Sequence, residues 1–481
     1  MKGVARRTIC WLLMAWAFSA CSGSSSGDDA AVDLPITDAG GEADAAPPSA
    51  TPVIDGQLDE WSIIDPLATD PTGDASGGFD LTRVKATSRG TVLYLSFDIT
   101  KTLNAHGGAG SEGTLLIDVT MPAGRLTVDL RGRSAYPDGD TQKTLRWSEV
   151  DYVIAPTYAS KQFELRLDLQ RFGVKVGDSI KIDFSGSDAL AAPASFTMTR
   201  PAATPGRRSA DRAPGTTVRI ASLNTYHDGL TDPPRQAAIG RLVKAVAADI
   251  YCFQELLTTP GPDVASTLQT IDPHGDGATW NVHKLSDLAI ATRAALKPLP
   301  TQSSAQMFAA AAIDLGEKLL VVFTVRTTCC GYIGNPADLA RIQQMTELAA
   351  TVKKLRDGQL GGELDPWRDA PVVVIGDWNL VGSRTPLDLI LDATSGPGLA
   401  HWQLHHLLGD DTYTWRSETV GEFPPGMLDL VTHSKSLKQH NGFIFDTADL
   451  DAATVSNLGL QAPDSQASDH LVLVADFEIT N

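Results

Sequence analysis

The stretch PVVVIGDWNLV, residues 371–381, decides how the second half of this chain is read. Pro371 and then Val372, Val373, Val374 and Ile375 form an unbroken apolar run. Such a run fits a strand buried on both faces, as in a parallel sheet covered by helices. Gly376, Asp377, Trp378 and Asn379 follow, placing an acid and an amide two positions apart at the strand's exit. A desolvated carboxylate costs roughly several kcal/mol unless it is paired, hydrogen-bonded or bound to a metal. A polar turn and a functional site both satisfy this tetrapeptide, and the surrounding sequence has to choose between them.

Outward from there, residues 216–481 alternate strand and helix patterns. TTVRIASLNTY reads as a strand, PPRQAAIGRLVKAVAA as a helix with its prolines at the start, and DIYCFQEL as a strand again. LAIATRA and KLLVVFTVRT are strands, PADLARIQQMTELAATVKKL is a long amphipathic helix, and MLDLVTHS and DHLVLVADFEI are late strands. Polar residues recur where these strands end. Asn224 closes VRIASLN, Gln254 and Glu255 close DIYCFQE, and Asp377 and Asn379 close VVVIGDWN. Asp429 sits within MLDLV, and Asp469 with His470 precedes LVLVADF. In α/β proteins, strand ends converge on one edge, and sites form there. Oxygen donors such as Glu255 and Asp469 suit a hard cation, a carboxylate can orient or deprotonate water, and a His held by a second carboxylate can stabilise charge on a phosphate. That set fits phosphoester hydrolysis.

The ordered series Asn224, Gln254-Glu255, Gly376-Asp377-Trp378-Asn379, Asp429 and Ser468-Asp469-His470 resembles the endonuclease/exonuclease/phosphatase superfamily, the DNase I-like fold. The resemblance spans nearly all of residues 216–481 and implies a four-layered αββα sandwich. It implies Glu255 as metal ligand, helped by Asn224 and Asp469, with Mg2+ as the ion and Mn2+ or Ca2+ as alternatives. By it, Asp377 positions the nucleophilic water, Asn379 contacts the transition state, and Asp429 orients His470. Two positions depart from the pattern. Arg326 stands where many members carry a His, and a guanidinium there can clamp phosphate or simply lie at a strand end. Met427 stands where an Arg is common. His405, His406 and His433 read as ordinary surface or loop residues.

Residues 51–200 have a different texture. TVLYLSFDIT, GTLLIDVT, GRLTVDL, QFELRLDL and DSIKIDF alternate apolar and polar residues between turn signals, the pattern of an all-β sandwich. Ile54-Asp55-Gly56 and Trp61 resemble the opening of family 9 carbohydrate-binding modules, which implies a glycan partner. The residues themselves read better as turn and core. GGAGSEG matches GxGxxG at Gly108, Gly110 and Gly113 without a strand-to-helix context, so it is a loop. Residues 201–215, rich in Pro, Ala and Arg, form a linker.

The first twenty residues carry Lys2, Arg6 and Arg7 and then a short apolar run, the features of a bacterial secretory signal. Phe18-Ser19-Ala20-Cys21 resembles a lipobox, which implies cleavage before Cys21 and its lipidation. Residues 21–50 then form a disordered acidic tether, and the mature protein is expected to be an extracytoplasmic membrane lipoprotein, periplasmic or cell-surface. Cys252, Cys329 and Cys330 are too few for a disulfide framework, and both a vicinal bridge and a pairing through Cys252 stay open. Residues 216–481 hold 18 Lys and Arg against 31 Asp and Glu, with no basic run. That balance opposes tight duplex binding. A metal-dependent phosphoesterase, with diesters ahead of monoesters, is the reading that results. A nuclease of modest affinity and a noncatalytic glycan-binding lipoprotein are its rivals.

Overall fold

The structure, a computed structural model, describes residues 51–273, 277–300, 307–393 and 398–480. The expected signal, Cys21 anchor and tether fall outside these residues. The described chain holds two sandwiches, as the sequence patterns require.

The first is all-β. Its strands form two five-stranded antiparallel sheets, one of Pro66–Thr69, Leu81–Arg89, Val92–Leu103, Ser160–Asp168 and Val153–Ala155. The other holds Ala194–Thr197, Ser179–Gly186, Leu115–Met121, Gly124–Asp129 and Ser134–Pro137. Inward-facing residues at period two fill the space between them, with Phe97, Phe163 and Phe184 in ring contact at the centre. The Ile54 to Trp61 motif is structural. The buried carboxylate of Glu164 accepts the N–H groups of Asp55 (2.9 Å) and Gly56 (2.7 Å) and the indole N–H of Trp61 (2.8 Å). Gly56 has φ +87°, and a Cβ there would meet Pro156 Cβ at 2.9 Å. Trp61 is therefore spent on the core and offers no face to a ligand.

The second sandwich has four layers. One six-stranded sheet runs in the order Asn281–Leu285, Leu288–Thr292, Ile250–Gln254, Val218–Asn224, Val472–Ile479, Leu437–Phe445. The other runs Ala295–Pro298, Phe308–Asp314, Leu319–Arg326, Val372–Asp377, Asp429–Ser434, Leu399–His401. Alternation explains why the central strands look apolar throughout. Val373 and Ile375 enter the core between the sheets, while Val372 and Val374 face the helix layer. Pro233–Val246 covers the first sheet with Ile239, Leu242, Val243 and Val246, a single helical stripe, and starts on prolines whose missing N–H groups have no intrahelical use there. Pro336–Arg356 covers the second. Asn335 caps it by accepting the Asp338 N–H at 2.9 Å, and Lys353, Lys354 and Arg356 lie in its last turn, complementing the dipole.

The two sandwiches form one compact unit. Asn104 of the first donates to the Val381 carbonyl (2.7 Å) and accepts the Ile333 N–H (2.8 Å). Thr157 Oγ1 donates to the Leu380 carbonyl (2.8 Å), and the Ala159 N–H donates to that of Gly382 (2.7 Å). Arg166 pairs with Asp151 and Asp411. The segment 201–215 is tied down too, by Arg208 N–H to the Leu407 carbonyl (2.8 Å) and by Arg212 to Asp249.

Candidate active site

Each sheet is built around one parallel strand pair joined through a helix. Val218–Asn224 pairs in parallel with Ile250–Gln254, and Leu319–Arg326 with Val372–Asp377. Their C-terminal ends therefore point the same way and carry Asn224, Gln254-Glu255, Arg326 and Asp377. The antiparallel neighbours begin at this edge. Asp429 opens Asp429–Ser434 opposite Asp377, and Asp469-His470 precedes Val472–Ile479. Topology thus collects on one edge the polar residues that the sequence scatters over some 250 positions. A side chain is excluded at Gly376, which has φ +144° and where a Cβ would lie 2.3 Å from the carbonyl oxygen of Val325 in the adjacent strand.

At the centre, His470 Nδ1 and Asp429 Oδ2 are 2.8 Å apart, both residues being buried. Thr414 Oγ1 donates to the same carboxylate oxygen (2.7 Å) and accepts the N–H groups of Leu428 and Asp429. Burial works against an imidazolium at His470, but Asp429 and Asp377 outweigh it and push the pKa up to about 10. Nε2 has no protein partner among the described residues. Asp377 accepts from Asn379 N (3.0 Å), Asn379 Nδ2 (2.8 Å) and Asn224 Nδ2 (3.2 Å). Burial raises its pKa, and Asp429 adds to this while His470 and Arg326 oppose it. Asp377, Asp429 and His470 bring ligand atoms within 4.8 Å of one another. Asn379 also donates to the Thr327 carbonyl (3.1 Å), so a contact from its amide nitrogen to a reacting phosphate would have to replace one of these bonds.

Beside this centre, Asn224 Nδ2 also reaches Glu255 Oε1 (3.2 Å), and the His227 N–H holds Glu255 Oε2 (3.0 Å). Burial would raise the Glu255 pKa, but Arg326, Asn224 and His227 bring it below the usual value. Arg326 divides its guanidinium between Glu255 (3.1 Å) and Asp287 (2.6 Å). Ser468 Oγ donates to the Asn224 carbonyl (2.7 Å), drawing the loop of Asp469 against the same strand end, where Trp415 Nε1 donates to Asp469 Oδ2 (3.0 Å). Glu255 (φ +60°) and Asn379 (φ +44°) are both left-handed. For Glu255 that conformation costs about 1–2 kcal/mol, a strain of the kind concentrated at working sites. The donors are carboxylate and amide oxygens with one imidazole, and among the described residues Asp429 Oδ1 and Asp469 Oδ1 are buried without a hydrogen-bond partner. This set fits a hard divalent cation.

Several neighbours escaped the sequence reading. Thr414, Trp415 and Asp287 lie in loops without periodicity, and Asn104 comes from the other sandwich. Arg341, fully buried, holds the Thr328 and Cys330 carbonyls (2.8 and 2.7 Å) beside Thr327. Met427 accepts from Gln403 Nε2 at the sandwich junction. Of the residues expected at the surface or in loops, His406 lies in a loop but is buried, and His433 is buried within a strand. His406 bonds the Tyr413 carbonyl, and His433 is enclosed in Asp429–Ser434 beside Trp402 and Phe477. All three described cysteines are free, with Cys252 buried in the inter-sheet core.

Two sheets face to face under helices, with a carboxylate-held His and a set of oxygen donors at one edge, define a hydrolase of phosphoesters. Residues 221–470 match the Endonuclease/Exonuclease/phosphatase family, and the chain belongs to it. Solved structures similar to it include TDP2 from D. rerio complexed with a single-strand DNA product (16% identity, covering 54% of this chain and 98% of that one, TM-score 0.36). An AP endonuclease from Archaeoglobus fulgidus has 13% identity, coverage of 55% and 100%, and TM-score 0.36. A 3'-5' exonuclease from Neisseria meningitidis has 19% identity, coverage of 54% and 99%, and TM-score 0.37. No curated protein matches the chain.

Proposed function

We propose that this protein is an extracytoplasmic, lipid-anchored, metal-dependent phosphodiesterase. The observation that carries the reading is the bond between His470 Nδ1 and Asp429 Oδ2, with Asp377 in the same cluster and Nε2 without a protein partner among the described residues. Asp429 orients the ring and keeps it charged, so Nε2 can donate to a phosphate oxygen as negative charge grows there. Asp377, braced by Asn379 and Asn224, takes the proton of the attacking water. Arg326 adds positive charge on the Glu255 side. A hard divalent cation, Mg2+ with Mn2+ or Ca2+ as alternatives, would be held by Asn224, Glu255 and Asp469 and would neutralise charge on the phosphate oxygens.

The negative balance of residues 216–481 favours compact phosphodiesters over duplex nucleic acid. The test is turnover of bis-p-nitrophenyl phosphate by the mature chain with Mg2+, followed by EDTA, and then comparison of plasmid, RNA, phospholipid and inositol phosphate. Hydrolysis abolished by EDTA and restored by Mg2+ is expected. Absence of turnover on every substrate would end the reading. The anchor is tested separately: an N-terminal peptide without lipid, with unchanged membrane fractionation in Cys21→Ala, would remove that part alone.

A further inference from the structure

The all-β sandwich contains a second group of carboxylates, remote in sequence from the family match. Asp70 follows the edge strand Pro66–Thr69 of one sheet, Asp74 lies in the loop after it, and Asp188 follows Ser179–Gly186 of the other sheet. Ligand oxygens of the three lie within 4.8 Å of one another. The loop is drawn across the sandwich to meet Asp188. Ser76 N–H donates to the Ser187 carbonyl (2.6 Å), and Asp188 Oδ2 accepts the Leu81 N–H (2.6 Å). Asp80 adds a fourth carboxylate, folded back on the Gly73 N–H (2.9 Å) and the Thr100 hydroxyl (2.9 Å).

An exposed acidic cluster needs no ligand. Asp70 is different: it is 8% exposed, and its Oδ2 is sealed from solvent with no hydrogen-bond partner among the described residues. Among the described residues, no Lys or Arg lies within ion-pair distance of Asp70, Asp74, Asp80 or Asp188. A buried carboxylate oxygen facing other carboxylates is unfavourable unless a cation or a proton balances it.

We infer that Asp70, Asp74 and Asp188 bind a Ca2+ ion that joins the two sheets of the sandwich at one end. The class of ion follows from the donors. They are all oxygens on loops of irregular geometry, and Asp74 is exposed, leaving room for water. Ca2+ accepts 6–8 such ligands flexibly, whereas Mg2+ demands a near-octahedral set and holds its own water tightly. The site ties the loop 70–80 to Asp188, and through it the first sheet to the second.

The test is calorimetric titration of the mature chain with CaCl2 after EDTA treatment and dialysis, with melting temperature read in parallel. A Ca2+-binding event is expected that survives Glu255→Gln, which disables the proposed catalytic-side ligand, and is weakened at least tenfold by Asp74→Asn. Asp74 makes no hydrogen bond among the described residues, so this variant tests the site without threatening the fold. Asp70→Asn should remove the event altogether. Saturating Ca2+ should raise the melting temperature of the parent by about 3–8 °C and that of Asp74→Asn by much less, since a ligand that binds only the folded state stabilises it. Mg2+ at equal concentration should give under a tenth of the affinity. The inference is overturned if Asp74→Asn and the parent titrate alike, if the only binding event disappears in Glu255→Gln, or if Mg2+ matches Ca2+.

Discussion

His470 is a buried imidazole whose charge depends on its neighbours. Its folded pKa of about 10 lies above the ordinary value, so the stabilisation from its pairing is complete below about pH 6.5 and is lost as pH rises toward 10. Asp429 is the leading cause of the rise. Asp429→Asn should therefore move the alkaline limb of the kcat/KM profile to lower pH while leaving the acid limb nearly in place. An unmoved alkaline limb would show that His470 does not carry the charge that matters. At this scale much was legible from sequence. Asn224, Glu255, Asp377 and His470 each follow an apolar run or sit beside one, where a polar residue is conspicuous. Thr414 was not legible, because a Thr in a loop gives no sign that its hydroxyl will serve one carboxylate and two backbone N–H groups.

The strands explain why the site exists at all. A parallel pair in each sheet aligns two C-terminal ends, and sandwiching the sheets sets the pairs side by side. Gly376 has no room for a side chain against Val325, its partner in the neighbouring strand of the same sheet. Gly376→Ala places a Cβ 2.3 Å from the Val325 carbonyl at a φ of +144°, so it should cost about 2–4 kcal/mol. A lowered denaturant midpoint with an unchanged m-value would show it, and a midpoint equal to the parent's would refute the crowding argument. Central strands were readable because burial on both faces leaves an unbroken apolar run. The edge strand Leu437–Phe445 was hidden: its first half, LKQHNG, is polar and its pairing with Val472–Ile479 shifts register between Gln439 and Gly442. Helix Gly261–Ile271 buries only Val264 and Leu268, too few for a stripe to stand out.

Over the whole molecule, the two sandwiches differ in texture yet are joined next to the chemistry. Asn104, Thr157 and Ala159 hold residues 380–382, the turn that follows Asn379. No sequence pattern announces such a contact, since its partners lie more than 200 positions apart. If the first sandwich braces that turn, Asn104→Ala should lower kcat roughly tenfold and move KM less, because small displacements of catalytic groups cost rate. Residues 216–481 alone should show a larger loss. Steady-state kinetics on a small diester would check both, and full kcat in Asn104→Ala would reduce the junction to mere packing.

On the proposed function, His470 and Asp429 act as one unit on a phosphodiester. The most direct measurement is a double-mutant cycle in kcat/KM on bis-p-nitrophenyl phosphate with Mg2+, using the mature chain, His470→Ala, Asp429→Ala and the double variant. Removing a donor of this kind costs about 10²–10³ in rate, and members of one unit are not additive. Each single variant should therefore lose activity on that scale, and the double variant should lose little beyond the worse single. Losses that multiply in the double variant, or a parent chain that His470→Ala leaves fully active, would contradict it.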